Sequence, residues 1–162
     1  MEDQVEGSSP PSQITLPSSA TWGETWVNVI FPTLFGVVVG SAWQAGIQPR
    51  LTYNLPNPVQ GTLLLLIFLS PLFHRYLTPH PFSRWKEYSA GCAALGLFFI
   101  TVWMAGYGGW VCGGYLAAVV WIWVSTSWWR FHLPPFRLAL WHTIGVNVGA
   151  LAGSILTYGL MN

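Results

Sequence analysis

The chain contains 162 residues and has a formal net charge of +1; 52% of its residues are hydrophobic and only 7% are charged. An average soluble domain carries about 25% charged residues, so this composition excludes an ordinary water-exposed surface and makes the lipid bilayer the expected partner. The near-zero charge also excludes the basic field that nucleic-acid binding requires.

The first 22 residues differ in composition from the rest of the chain. The stretch MEDQVEGSSPPSQITLPSSA is acidic and rich in Pro and Ser. It has neither the basic region nor the apolar core of a signal peptide. We therefore predict a disordered tail over residues 1–22, followed by a single membrane domain over residues 23–162.

Five apolar segments follow, each close to the roughly 20 residues that a helix needs to cross a bilayer. They run from Trp26 to Ile47, from Pro58 to Phe73 or slightly beyond, from Tyr88 to Tyr107, from Trp110 to Trp129 and from Arg137 to Leu160. The predicted fold is an all-α integral membrane protein, a bundle of five transmembrane helices.

The second segment leaves one alternative open. VQGTLLLLIFLSPLF is short and contains Pro71, so four spanning helices plus a re-entrant segment would also fit. Five spans place every basic residue except Arg50 on the side of the N-terminus, whereas a re-entrant segment would gather all six on the opposite face. We adopt five spans. Because basic loops stay in the cytoplasm, the N-terminus is then cytoplasmic in a cell inner membrane, or stromal in a thylakoid or other organellar membrane.

Glycines recur at every fourth position in two of the segments. Gly145, Gly149 and Gly153 share one helical face of the fifth segment, and Gly36 and Gly40 repeat the pattern in the first. Small faces let helix backbones approach closely in lipid, where no hydrophobic effect pushes helices together. We predict glycine-zipper packing on these faces, either inside the bundle or against a second copy or another membrane-protein subunit.

His142 is the titratable side chain predicted to lie within a span, on the same face as those glycines. A neutral imidazole there is a candidate ligand for haem iron or chlorophyll magnesium. Hydrogen bonding to a neighbouring helix is the favoured alternative, because a lone intramembrane histidine without a second one at helical spacing is weak support for a cofactor.

The other histidines and the cysteines predict no metal site and no disulfide. His74, His80 and His132 are expected in cytoplasmic loops, in contact with solvent or headgroups, and their spacing matches no zinc pattern. Cys92 and Cys112 are expected near opposite ends of antiparallel helices, about 30 Å apart. That distance is far beyond the reach of a disulfide.

A family resemblance accompanies these patterns. The length, the five segments, the abundant Trp and the stretch FPTLFGVVVGSAWQAGI resemble the translocator-protein family of tetrapyrrole and sterol binders. The resemblance implies a five-helix membrane bundle with a lipophilic ligand. The sequence departs from the family at NLPNPVQGTLLLL, where a Trp- and Pro-rich stretch is expected, and in the glycine-rich last segment. No residue role is carried over.

Three functions compete. The first is a non-catalytic accessory or assembly subunit of a larger membrane complex, for example an energy-transducing or photosynthetic one, which the short loops and glycine faces favour. The second is a binder of a lipophilic cofactor, namely haem, chlorophyll, carotenoid or a sterol-like ligand. The third is a transporter of a small uncharged solute or lipid. We favour the first, because no catalytic motif and no intramembrane charge is recognisable.

Overall fold

The computed structural model describes residues 22–53, 56–106, 108, 111–113, 119 and 133–162. Of these residues, 88% are helical and none lies in a strand, so the all-α prediction is confirmed for the described part of the chain. Its four long helices are α1 (Trp22–Arg50), α2 (Pro58–Leu77), α3 (Trp85–Met104) and α4 (Pro135–Met161). Apart from Trp22, the predicted tail lies outside the described residues, and so does most of the predicted fourth segment.

Helix α1 is regular only in its middle. π-Helical turns at Trp26–Ile30 and Trp43–Ile47 flank the α-helical stretch Phe31–Ala42. Pro32 has no backbone N–H, so it cannot donate to the carbonyl of Asn28, which lies four residues earlier. The Asn28 carbonyl therefore lacks the donor four residues later that a regular α-helix would supply.

Helix α2 begins with a capping box. The side chain of Asn57 accepts a hydrogen bond from the backbone N–H of Gln60 at 2.9 Å, and the Gln60 side chain accepts one from Asn57 N–H at 3.0 Å. The helix continues through Pro71 to Leu77, four residues beyond the predicted Phe73. At about 1.5 Å rise per residue, its 20 residues span about 30 Å, which is the thickness of the hydrocarbon core.

Contacts between neighbouring helices fix their relative directions. Helices α1 and α2 are antiparallel, because the Phe35 ring packs on Phe73 while Trp43 covers Gly61. Helices α2 and α3 are also antiparallel, since Ser70 meets Ser89 at 2.7 Å and Gly96 lies against Ile67.

Helices α1 and α4 run parallel. Gly149 lies against the backbone of Thr33, and Gly153, one turn later, lies against the backbone of Val37. This is the most extensive helix contact in the described part of the chain.

Two of the four helices, α1 with 29 residues and α4 with 27, are long and apolar enough to cross a membrane. The distribution of polarity also departs from that of a soluble bundle. Large apolar side chains lie on the outside, with Phe68 80% and Val38 66% exposed. The interior, by contrast, contains polar groups, including the buried side chains of Asn28, Gln60, Thr62, Ser70, His74, His142, Thr143 and Asn147.

Candidate functional site

The candidate site is a buried polar cluster formed by Asn28, Tyr88, Trp141 and His142, which joins three helices. The Tyr88 hydroxyl lies 2.6 Å from Nδ1 of His142, and Nε2 of the same ring lies 3.1 Å from Oδ1 of Asn28. Tyr88 and His142 are both fully buried. The predicted intramembrane histidine is thus a link between α1, α3 and α4.

The partners fix the tautomer of His142. The amide nitrogen of Asn28 donates to the carbonyl of Glu24 at 2.9 Å, so the Asn28 oxygen is the atom that faces the ring. That oxygen can only accept, and Nε2 of His142 must therefore carry the proton. In a neutral imidazole Nδ1 is then the acceptor, and Tyr88 donates its O–H to it.

Trp141 completes the cluster through the carbonyl of Asn28, to which Pro32 cannot donate. Its indole Nε1–H donates to Asn28 O at 2.9 Å. Both oxygen atoms of Asn28 therefore accept hydrogen bonds from α4, the backbone carbonyl from Trp141 and the side-chain amide oxygen from His142. Asn28 was not among the candidate site residues predicted from the sequence. The pairing of Asn28 with a proline four residues later was the available signal.

This arrangement does not fit the axial-ligand role for which His142 is a candidate. Metal ligation requires a free nitrogen lone pair. Nδ1 of His142 accepts from Tyr88, and Nε2 is protonated towards Asn28. Ligation would therefore require the ring to give up one of its bonds to the protein.

His74 differs from its predicted position in a solvated loop. It lies in the last turn of α2 and is fully buried, between Phe82 and Tyr88 at ring-centroid distances of 6.2 Å and 5.5 Å. The loop prediction was wrong because the second helix is four residues longer than expected. Neither ring nitrogen of His74 has a hydrogen-bond partner among the described residues. Among the described residues, His74 is therefore a buried imidazole whose nitrogens are not engaged.

The remaining histidines and the cysteines have separate positions. Nε2 of His80 lies 2.8 Å from the carbonyl of Leu133 and ties the α2–α3 connection to the start of α4. His132 lies outside the described residues. Cys92 is buried, Cys112 is exposed, and both are free thiols. Within the described part of the chain, no three His, Cys, Asp or Glu residues are grouped to hold a metal ion.

The five predicted packing glycines lie on α1 and α4. A Cβ at Gly36 or Gly40 would collide with the backbone of α4 at Val146 or Ala150, and one at Gly149 or Gly153 would collide with the backbone of α1. Gly145 is buried on the same helix. The structure thus brings four of these glycines to the contact between α1 and α4. A role for them in assembly with other chains stays a prediction.

Two adjoining cavities open between α1 and α2. One, of about 380 Å³, lies at the end of the bundle where α1 begins and is lined by residues that include Asn28, Tyr76, Leu77 and His80. The other, of about 260 Å³, is lined by the apolar side chains of Phe31, Phe35, Leu69, Leu72 and Phe73 and by Tyr76 and Leu77. Because Tyr76 and Leu77 line both, the two cavities form one crevice, which we call the α1–α2 crevice.

An exposed ion pair marks the same end of the bundle. The guanidinium of Arg84 donates two hydrogen bonds to the carboxylate of Glu87, at 2.8 Å and 2.6 Å. These hydrogen bonds hold the pKa of Glu87 below its usual range, because they stabilise the ionised carboxylate. As an exposed pair three residues apart, the two side chains contribute little to folding stability.

No protein-family model, no curated protein and no solved structure matches this chain.

Proposed function

We propose that this protein is a multi-pass membrane protein with five spanning helices. The polarity of the bundle supports this, because large apolar side chains of α1 and α2 point outwards while polar side chains lie inside. Bilayers favour that distribution, since the lipid offers no partners for polar groups and imposes no cost on exposed apolar ones.

The parallel packing of α1 and α4 supports five spans over four with a re-entrant segment. With five crossings, the first and the last helix point in the same direction; with four, they point in opposite directions. Helix α3 also ends at Met104, at the end of the bundle opposite to the one where α4 begins.

The topology can be tested by cysteine labelling. In a background that carries Cys112→Ser, Tyr53→Cys and Ser83→Cys place single exposed thiols in the connections on either side of α2. A membrane-impermeant maleimide applied to oriented vesicles should label them from opposite sides, with Ser83→Cys labelled from the cytoplasmic or stromal side. Labelling of both from one side would contradict a full crossing by α2.

Within that membrane we propose a non-catalytic role as an accessory or assembly subunit of a larger complex. The single observation that carries this proposal is that both ring nitrogens of His142 are already engaged in hydrogen bonds, one to Asn28 of α1 and one to Tyr88 of α3. The imidazole of His142, which was the candidate cofactor ligand, connects helices instead. The apolar outer faces, such as that of α3 around Leu97 and Phe98, are free to contact other subunits.

Gentle extraction from native membranes tests the subunit proposal. Native gel electrophoresis with mass spectrometry of the excised band should show the chain in a complex with other membrane proteins. A band that contains only the monomer under the mildest extraction would contradict it.

One observation favours a second candidate, a binder of a lipophilic cofactor. Within the described part of the chain, neither nitrogen of His74 is engaged and the ring lies in a buried aromatic environment, so it fits the chemistry of an axial ligand better than His142 does. An absorption spectrum of protein purified from its native membrane, compared with that of His74→Leu, tests this. Visible bands that vanish in His74→Leu but persist in His80→Leu would favour the cofactor binder; a spectrum without visible bands would exclude haem, chlorophyll and carotenoid.

A further inference from the structure

We propose that the α1–α2 crevice is a specific site for an anionic phospholipid. One acyl chain would occupy the apolar part between Phe35, Leu69 and Phe73, and the headgroup would lie at the polar end, near Asn28 and His80. The inference goes beyond the subunit role, because it concerns a small-molecule site on a single chain.

The polar half of the crevice lies at the end of the bundle and the apolar half lies further inside, which matches the order of the headgroup and the acyl chain in a membrane lipid. The deep part of the crevice is almost purely apolar, whereas the outer cavity contains Glu24, Asn28, Thr78 and His80. From Asn28 to Phe35 the helix rises about 10 Å, at about 1.5 Å per residue. The crevice therefore extends from the end of the bundle to a depth where the membrane contains only acyl chains.

The charges around the polar end favour a negative headgroup. Arg75 lies over the ring of Tyr76, 5.9 Å from its centroid, and Tyr76 lines both halves of the crevice. Arg75 and Lys86 are exposed at this end, and Arg137 lies in the exposed first turn of α4. The acidic groups there are Glu24, which lines the cavity, and Glu87, which is paired with Arg84. The described charges at this end sum to +2, from four basic and two acidic side chains.

The site is open to the membrane. Phe31, Leu72 and Tyr76 form its rim and are 40%, 54% and 69% exposed. A lipid can therefore enter sideways from the bilayer without the separation of α1 and α2. The anionic surface of a cytoplasmic leaflet supplies such lipids on the side where basic residues gather.

The test uses the full-length protein in vesicles that contain phosphatidylglycerol and phosphatidylcholine in equal amounts with the same acyl chains. After extraction in mild detergent, native mass spectrometry counts the retained lipids of each kind. We expect phosphatidylglycerol to be retained in preference. Arg75→Gln should lower that preference about fivefold, whereas Arg50→Gln, the matched change at the other end of the bundle, should leave it unchanged.

The apolar half is tested with a second pair of variants. Leu72→Trp fills the rim of the crevice, and Leu97→Trp adds the same bulk to an outer face of α3 that is 58% exposed. Loss of the bound lipid in Leu72→Trp but not in Leu97→Trp supports the site. Three results would overturn it: equal retention of the two lipids, retention of neither, or a dimer that only Leu72→Trp dissociates, which would mean that a second copy occupies the crevice. The lipid count is made on the isolated chain, so failure of the subunit proposal would leave its outcome unaffected.

Discussion

The hydroxyl of Tyr88 lies 2.6 Å from Nδ1 of His142, although 54 residues separate them along the chain. A second bond from the same ring to Asn28 extends the link to α1. Each bond satisfies a group that would otherwise be buried without a partner. Three helices are therefore held together by a single imidazole with a defined tautomer.

The tautomer can be measured directly. In protein labelled with ¹⁵N-histidine, we expect the His142 ring to be neutral, with a proton on Nε2 and a hydrogen-bonded but unprotonated Nδ1. Nitrogen shifts recorded in lipid nanodiscs report both atoms. A proton on Nδ1 would mean that the Asn28 amide is reversed and that the proposed direction of both bonds is incorrect.

Tyr88→Phe should lower the free energy of unfolding by about 1–3 kcal/mol. The change removes one hydroxyl and leaves Nδ1 of His142 buried without a donor. Reversible unfolding in mixed micelles measures the effect. Tyr158→Phe removes a hydroxyl from an exposed tyrosine of α4 and should have no comparable effect. Equal stability of the two variants would show that the Tyr88 bond contributes nothing.

The two buried histidines should respond in opposite directions to replacement by leucine. His142→Leu removes the acceptor of the Tyr88 hydroxyl and the donor to the Asn28 oxygen, so we expect a loss of about 2–4 kcal/mol. His74→Leu replaces an imidazole that has no hydrogen-bond partner among the described residues, so the stability of the ligand-free protein should stay the same or rise. A large destabilisation by His74→Leu would indicate that the ring has a partner, such as a bound ligand.

Gly149→Ala should destabilise the bundle, and Gly159→Ala should not. A Cβ at Gly149 would collide with the Thr33 carbonyl on α1, whereas one at Gly159 on the same helix would meet nothing within 4 Å. The expected loss is about 1–3 kcal/mol for Gly149→Ala, from overpacking. Thermal unfolding of both variants in one detergent is the measurement. Similar melting temperatures for the two would show that α1 and α4 are less closely packed than the geometry indicates.

The exposed ion pair between Arg84 and Glu87 gives a prediction about pH. Because hydrogen bonds from Arg84 lower the pKa of Glu87, any stabilisation by the pair is present above the ordinary pKa of a glutamate and is lost as the pH falls through the lowered value. Arg84→Met should raise the pKa of Glu87, as measured by NMR titration of its carboxyl carbon. Arg50→Met, at the far end of the bundle, is the control. An unchanged titration in Arg84→Met would mean that the pair does not persist in solution.

Sequence patterns located the helices well because composition and length limit what an apolar segment can do. Predicted segments and observed helices agree within a few residues at Arg137 to Leu160 against Pro135–Met161 and at Tyr88 to Tyr107 against Trp85–Met104. The largest differences, of four residues each, are at the beginning of α1 and at the end of α2. The last turn of α2 contains His74 and Arg75, and polar residues near a helix end resemble a loop when only hydropathy is considered.

The sequence by itself determined that the chain is helical, that its apolar segments are long enough for a bilayer, and that glycines line faces of α1 and α4. These are local properties, set by periodicity and side-chain size. Only the tertiary structure decided that α1 and α4 pack in parallel, that the hydroxyl of Tyr88 meets the ring of His142, and that His74 is buried. Each of these contacts depends on which helices become neighbours. The packing energy between segments that are distant in sequence decides the neighbours, and it leaves no periodic pattern in the sequence of either segment.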